Sequence, residues 1–111
     1  MNESALEESV DEKREHPRTD INTRVSCERQ DGEAIEGLAR DISLGGMFVE
    51  SEVSLTFGTK LLIRCQLAGE SSAMALPAIV RWTRSDGFGV QFGLVGARET
   101  HAITNLMRQR H

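Results

Sequence analysis

Short stretches of alternating apolar and polar residues, separated by turn signals, set the tightest limit on what this chain can fold into. Residues 60–67 (KLLIRCQL) and 74–84 (MALPAIVRWTR) both place an apolar side chain at every second position. A period of two puts successive side chains on opposite faces of a strand. Asp31-Gly32 and the tripeptide SDG at 85–87 are typical hairpin turns. The chain is therefore predicted to be mainly antiparallel β-structure.

The strand patterns fall at regular intervals along most of the chain, in segments 21–29, 34–42, 47–49, 60–67, 74–84 and 88–94. Several short strands joined by tight turns predict a six- or seven-stranded antiparallel β-barrel over residues 21–94. Apolar residues then change to helical spacing, which predicts a C-terminal α-helix over residues 97–110.

The aromatic residues of the late strands have two interpretations. Trp82, Phe88 and Phe92 occupy positions that the alternation assigns to the inside of the barrel, which favours a role in the core. Alternatively they form a base-stacking surface, as in an OB-like single-strand binder. Cys65 falls on the same apolar face as its neighbours and is predicted to be a buried thiol.

Charge is distributed unevenly along the sequence. Residues 1–12 carry five acidic residues and no Lys or Arg, whereas the other 99 residues carry 13 basic and 12 acidic ones. Residues 1–12 are therefore predicted to be a flexible acidic tail, preceding a nearly neutral domain at 13–111. Near neutrality argues against a broad DNA or RNA interface, which requires a basic face.

Several classes of protein are excluded by what the sequence lacks. No apolar run approaches the roughly 18 residues of a membrane span, and the N-terminus has no signal-peptide pattern. Two Cys and three His (His16, His101 and His111) give neither a disulfide framework nor a metal-ligand spacing. Because no nucleophile–base pattern or phosphate-binding loop is present, we expect a cytoplasmic protein without a membrane partner that is not an enzyme.

Two short motifs have the residue types of a binding site. One is Arg14-x-x-x-Arg18, and the other is Asp41-x-Ser43-x-x-Gly46 at the end of the second predicted strand. Each is weak alone, because an arginine pair is often just two solvated charges. The segment DISLGG is also typical of a strand-ending turn, in which Asp and Ser accept backbone hydrogen bonds and Gly supplies a positive φ.

In combination and order, these motifs resemble the PilZ domain, the bacterial receptor module for cyclic di-GMP. The resemblance extends over about residues 12–110. EKREHPR is similar to the family's Arg-rich entry, DISLGGMFVES to its second signature with the strand that follows it, and VRWTRSDGFGVQF to its late hairpin. Both signatures are complete, whereas many family members lack one of them and do not bind the nucleotide.

The resemblance implies a set of ligand-binding residues, namely Arg14, Arg18, Asp41, Ser43 and Gly46, with Lys13 and Gly45 as further candidates. Guanidinium groups suit this ligand because they pair with phosphates and with guanine acceptors, and also stack on bases. Asp41 would accept from guanine N–H groups, Ser43 would offer a hydroxyl, and Gly46 would allow close approach. Other arginines, at 40, 64, 81 and 84, either extend this surface or are solvated charges of the outer face.

The expected function is that of a stand-alone receptor with cyclic di-GMP as ligand and no other cofactor. Residues 13–20 would form an arm that folds over the barrel when the ligand binds, and Lys13 is compatible with a stacked pair of nucleotides. An effector protein would receive the signal, in motility, pilus, exopolysaccharide or biofilm control. The alternative is a PilZ-type adaptor that does not bind nucleotide. The protein is expected to be a monomer or a weak homodimer.

Overall fold

Within the part of the chain that the structure describes, six strands and one helix follow one another in the order that the sequence predicts. The computed structural model describes residues 18–109, so the acidic tail and residues 13–17 of the predicted arm lie outside the described residues. The elements are β1 (Thr19–Arg29), β2 (Ala34–Ile42), β3 (Gly46–Glu50), β4 (Lys60–Cys65), β5 (Met74–Arg84), β6 (Gly87–Phe92) and α1 (Ala97–Gln109). Within this range, the observed ends differ from the predicted ones by at most two residues. The predicted end of the arm is wrong, because Thr19 and Asp20 belong to β1 and pair with Ile42 and Asp41 of β2.

Every pair of neighbouring strands is antiparallel, and the sheet closes on itself. The spatial order is β1-β2-β3-β6-β5-β4, and β4 pairs back onto β1. Closure gives the sheet no unpaired edge strand, so backbone donors and acceptors find partners on both sides. The prediction of an antiparallel barrel with a C-terminal helix is therefore confirmed, with six strands.

The turn between β1 and β2 shows why the first hairpin forms where the sequence indicates. Gly32 has a φ of 95°, in the left-handed region that glycine adopts without a steric penalty. The backbone N–H of Arg29 donates to the carbonyl of Glu33 at 2.7 Å across this turn. The Asp31-Gly32 pair that predicts the turn therefore lies within the observed turn.

The inward side chains of the strands and one side of α1 share a single hydrophobic core. Ile63, Leu76 and Phe88 are fully buried within the barrel. The helix adds four buried residues to the same core: Ala102, Ile103, Leu106 and Met107. Each large side chain removed from water contributes about 1.5–3 kcal/mol, so α1 is held by this apolar side. No helix among residues 18–109 is long and apolar enough to cross a membrane.

The prediction that Trp82 faces the core is wrong. Val80 is fully buried, but the next residues in β5 are exposed, and Trp82 retains 39% of its accessible surface. The register between β5 and β6 shifts between Val80 and Trp82. A shift of this kind, produced by a β-bulge, places two successive residues on one face, so Arg81 and Trp82 are both outside. The predicted core positions of Phe88 and Phe92 are confirmed.

A second register shift has the same consequence in β2. It lies between Ala39 and Asp41 in the pairing of β2 with β3. Ala39 and Ile42 are fully buried, so Arg40 and Asp41 between them both lie on the outer side. The strand thereby presents two adjacent charged side chains to solvent.

Cys27 and Cys65 are both buried free thiols, as predicted for Cys65. Burial, with smaller contributions from Glu36 and Cys65, raises the pKa of Cys27 from 9.0 to about 12. Burial raises the pKa of Cys65 to about 11. Both side chains are therefore neutral packing groups at physiological pH.

These thiols predict a loss of stability in alkaline solution. A raised folded-state pKa means that the folded chain holds the thiol proton more tightly than the unfolded chain does. The resulting contribution to the free energy of unfolding is fully present below about pH 9. It is lost as pH rises through the folded values of about 12 and about 11. We expect the free energy of unfolding in urea to fall above pH 9, by up to about 1.4 kcal/mol per pH unit for each thiol. An unchanged slope in a Cys27→Ala/Cys65→Ala variant would contradict this origin.

Candidate functional site

One row of residues crosses four strands on the outside of the barrel. Asp41 of β2 pairs with Phe48 of β3, and Phe48 pairs with Gly89 of β6. Gly89 in turn pairs with Trp82 of β5. Both register shifts lie beside this row, and they are the reason that Asp41 and Trp82 face outward. Barrel closure and two local irregularities therefore bring an acid and two aromatic rings together.

The strongest polar contact in this row joins the two sequence motifs. Arg18 Nη1 donates to Asp41 Oδ1 at 2.7 Å, and the same oxygen accepts from the backbone N–H of Phe48 at 3.2 Å. The two side chains are only 23% and 25% exposed. A partly buried, charge-assisted bond is stronger than an exposed one. It fixes the start of β1 against the end of β2.

Arg18 also lies near the indole of Trp82, with Cζ 5.7 Å from the ring centroid. The indole lies against Gly89, where a Cβ would overlap its carbon atoms. Gly89 thus provides the space in which the ring lies across the sheet. The guanidinium is within cation–π range of the ring.

A cleft of about 550 Å³ opens over this row, lined by Arg18, Arg40, Asp41, Phe48, Glu50, Trp82, Arg84 and Asp86. It holds three arginines and three carboxylates, so the formal charge of its described lining is zero. Arg40 Nη1 donates to Glu50 Oε1 at 2.9 Å, and Arg84 Nη2 donates to Asp86 Oδ2 at 3.3 Å. Every arginine of the cleft is therefore paired with an acid.

The four outer-face arginines divide between the two interpretations that the sequence left open. Arg40 and Arg84 line the cleft. Arg64 instead pairs with Glu28 at 3.2 Å on the outer side of β4. Arg81 donates to Gln91 at 2.8 Å and lies over the ring of Phe57. Only the first two can extend a ligand surface that includes Arg18.

Sequence reasoning missed several lining residues because they are far apart in the chain. Phe48, Glu50 and Asp86 were not expected at a site. Phe48 and Glu50 lie in the strand that follows the second signature, and this closeness in sequence is the signal that could have placed them at the site. Asp86 reaches the cleft only through the β5–β6 turn, which local patterns do not place next to β3.

Ser43 and Gly45 form the turn that ends β2. The buried Ser43 hydroxyl accepts from the backbone N–H groups of Gly45 and Gly46, at 3.1 and 3.2 Å. The carbonyl of Gly45 accepts from the N–H of Phe92 at 2.8 Å. Asp and Ser thus make the backbone bonds expected of a strand-ending turn. Ligand contacts by these residues stay a prediction, and Lys13 and Arg14 lie outside the described residues.

Gly46 is required for a different reason from the positive φ expected of a strand-ending turn. Among residues 18–109, the positive-φ glycines are Gly32, Gly58 and Gly69, so Gly46 does not supply a left-handed turn. A Cβ on Gly46 would instead overlap the carbonyl oxygen of Val90 in β6. The residue allows β3 to approach β6 closely.

Residues 12–109 match the model of the PilZ domain family, and the chain belongs to that family. Its fold is similar to the PilZ domain of CeSA from a cellulose synthesizing bacterium, at 20% identity and a TM-score of 0.67, covering 86% of this chain and 99% of that one. The PilZ domain of YcgR from Escherichia coli, solved with c-di-GMP (cyclic di-GMP), is similar at 15% identity and a TM-score of 0.72, covering 88% and 91%.

The K. pneumonia MrkH–c-di-GMP complex has 17% identity and a TM-score of 0.73, covering 87% of this chain and 52% of that one. No curated protein matches the sequence. The family assignment replaces the OB-like alternative. In the part of the chain that the structure describes, no three His, Cys, Asp or Glu residues are grouped to hold a metal ion.

The packing of Gly46 predicts that its replacement destabilises the barrel without any ligand. In Gly46→Ala the new methyl meets a backbone carbonyl that cannot rotate away. We expect the free energy of unfolding to fall by about 1–3 kcal/mol, measured by urea denaturation. Gly93→Ala is the matched control, because its nearest neighbours are 3.7 Å or more away. Equal losses in the two variants would show that the close approach does not matter.

Proposed function

We propose that this protein is a receptor for cyclic di-GMP that relays the nucleotide signal to a partner protein. The observation that carries the proposal is the Arg18–Asp41 ion pair, which joins residues of the two signatures at one cleft. Membership of the PilZ family supports it, as do the YcgR and MrkH structures, which contain c-di-GMP.

The chemistry of the side chains around Arg18 and Asp41 suits a guanine nucleotide. A guanidinium carries five N–H donors, of which Asp41 takes one from Arg18. Within residues 18–109 the other four have no partner, and they suit phosphate or guanine O6 and N7. Asp41 has a second carboxylate oxygen, an acceptor for guanine N1–H and N2–H. The indole of Trp82 adds a flat surface within reach of the same arginine.

The balanced charge of the cleft supports the further proposal that the segment before Arg18 takes part in binding. A cyclic dinucleotide brings two negative charges, and the described lining offers no excess of positive charge. Lys13 and Arg14 precede Arg18 by five and four residues, so an extended chain places Arg14 within about 13 Å of it. These two cations would supply the missing charge.

Relay to a partner follows from the same arrangement. The ligand would hold the segment before β1, residues 13–18, against the barrel and change the surface around the cleft. A partner protein that recognises this surface distinguishes the bound receptor from the free one. Motility, pilus, exopolysaccharide or biofilm control are the processes we propose for that partner.

Calorimetric titration of cyclic di-GMP tests the binding proposal. We expect the full chain to bind cyclic di-GMP and not GTP, and Arg18→Ala to weaken affinity at least tenfold, since a charge-assisted bond is worth about 1.5–3 kcal/mol. Arg64→Ala is the matched control, because it also breaks an arginine–carboxylate pair on the outer face but lies outside the cleft. Failure of the wild type to bind would favour a nucleotide-independent adaptor.

Hydrogen exchange tests the role of the segment before β1. We expect the amides of residues 13–18 to become protected when cyclic di-GMP is added, because ligand contacts to Lys13, Arg14 and Arg18 would order their backbone, whereas Thr19 and Asp20 already pair with β2. The amides of β4 should exchange at the same rate with and without ligand. Binding without added protection at 13–18 would remove the arm from the mechanism.

A further inference from the structure

A second arginine lies on an aromatic ring in the same cleft. Arg84 Cζ is 4.5 Å from the ring centroid of Phe48, and Arg84 Nη2 donates to Asp86 at 3.3 Å. Phe48 is nearly buried, whereas the Arg84 side chain is 59% exposed. The guanidinium therefore covers the ring and turns its other face to solvent.

This arrangement repeats the one around Arg18. In both, a guanidinium lies over an aromatic ring and donates to a carboxylate, the ring being Trp82 in one case and Phe48 in the other. Both aromatic residues pair with Gly89 from opposite sides. Their backbone positions are two strand spacings apart, about 10 Å, and the indole of Trp82 lies across Gly89 between them. The cleft thus contains two like units on one row.

We propose that Arg84 and Phe48 form the binding site for a second guanosine-phosphate unit, beside the one held at Arg18 and Asp41. This inference rests on the proposed function and adds residues outside both signatures. A stacked guanidinium offers its free face to a purine and its N–H edge to a phosphate or to guanine O6 and N7. The unit is either the other half of one cyclic dinucleotide or part of a second molecule.

Asp86 and Glu50 limit the affinity of this second unit. Both accept from an arginine of the cleft, and the two ion pairs are about half exposed. Exposed pairs of this kind contribute little to stability, so a phosphate can take the place of the carboxylate. The displaced carboxylate stays nearby and repels the bound anion. Replacing either carboxylate with a neutral side chain should therefore strengthen binding of the nucleotide.

The test is calorimetric titration of cyclic di-GMP into the full-length wild type, Arg84→Gln, Asp86→Asn and the control Arg64→Gln. We expect Arg84→Gln to weaken binding about tenfold or more and Asp86→Asn to tighten it severalfold. The control should match the wild type, because Arg64 pairs with Glu28 away from the cleft. Thermal unfolding of each variant checks that these exposed substitutions leave the barrel intact.

The outcomes separate this inference from the proposed function. Wild-type affinity in Arg84→Gln would overturn the second site and leave the receptor proposal standing. Weaker binding in Asp86→Asn would overturn the role given to that carboxylate. If the wild type does not bind, both proposals fail. One nucleotide per chain, weakened by Arg84→Gln, assigns the site to the other half of the ligand. Two per chain, reduced to one in the variant, assigns it to a second molecule.

Discussion

The pairing of β1 with β4 closes the barrel, and the position of every outer side chain depends on it. Cys27 lies opposite Ile63 in this pairing, and both are fully buried. With the inward residues of all six strands committed to one core, a slip of register would expose apolar side chains and bury charges. The core therefore fixes the register, and the register fixes which outer residues become neighbours.

Two departures from strict alternation turn this regular surface into a cleft. A uniform strand would place Arg40 and Asp41 on opposite faces, and likewise Arg81 and Trp82. The register shifts at Ala39/Asp41 and Val80/Trp82 place both members of each pair outside. Each shift disrupts the hydrogen-bond ladder locally, and the continuous core on either side of it compensates for this loss. As a result, charged and aromatic side chains are concentrated on one part of the outer surface.

The sequence predicted the barrel because its signals are local: alternation within strands and turns such as Asp31-Gly32. Trp82 was placed wrongly because a bulge belongs to the pairing of two strands, and the alternation of one strand does not reveal it. Arg18 and Asp41 were found through motifs. Phe48 and Asp86 were not predicted as site residues, because they are brought to the cleft by the β3–β6 register and by the β5–β6 turn.

The charge balance of the cleft bears on what kind of anion it selects. Each arginine is already compensated by a carboxylate, so a small anion such as free phosphate exchanges one partner for another and gains little. A ligand gains more when it also stacks a planar base on Trp82 or on the guanidinium of Arg84, and donates hydrogen bonds to Asp41. On the proposed function, compensated arginines beside exposed ring and guanidinium faces would favour purine nucleotides over simple anions, because affinity would require the base and the phosphate together.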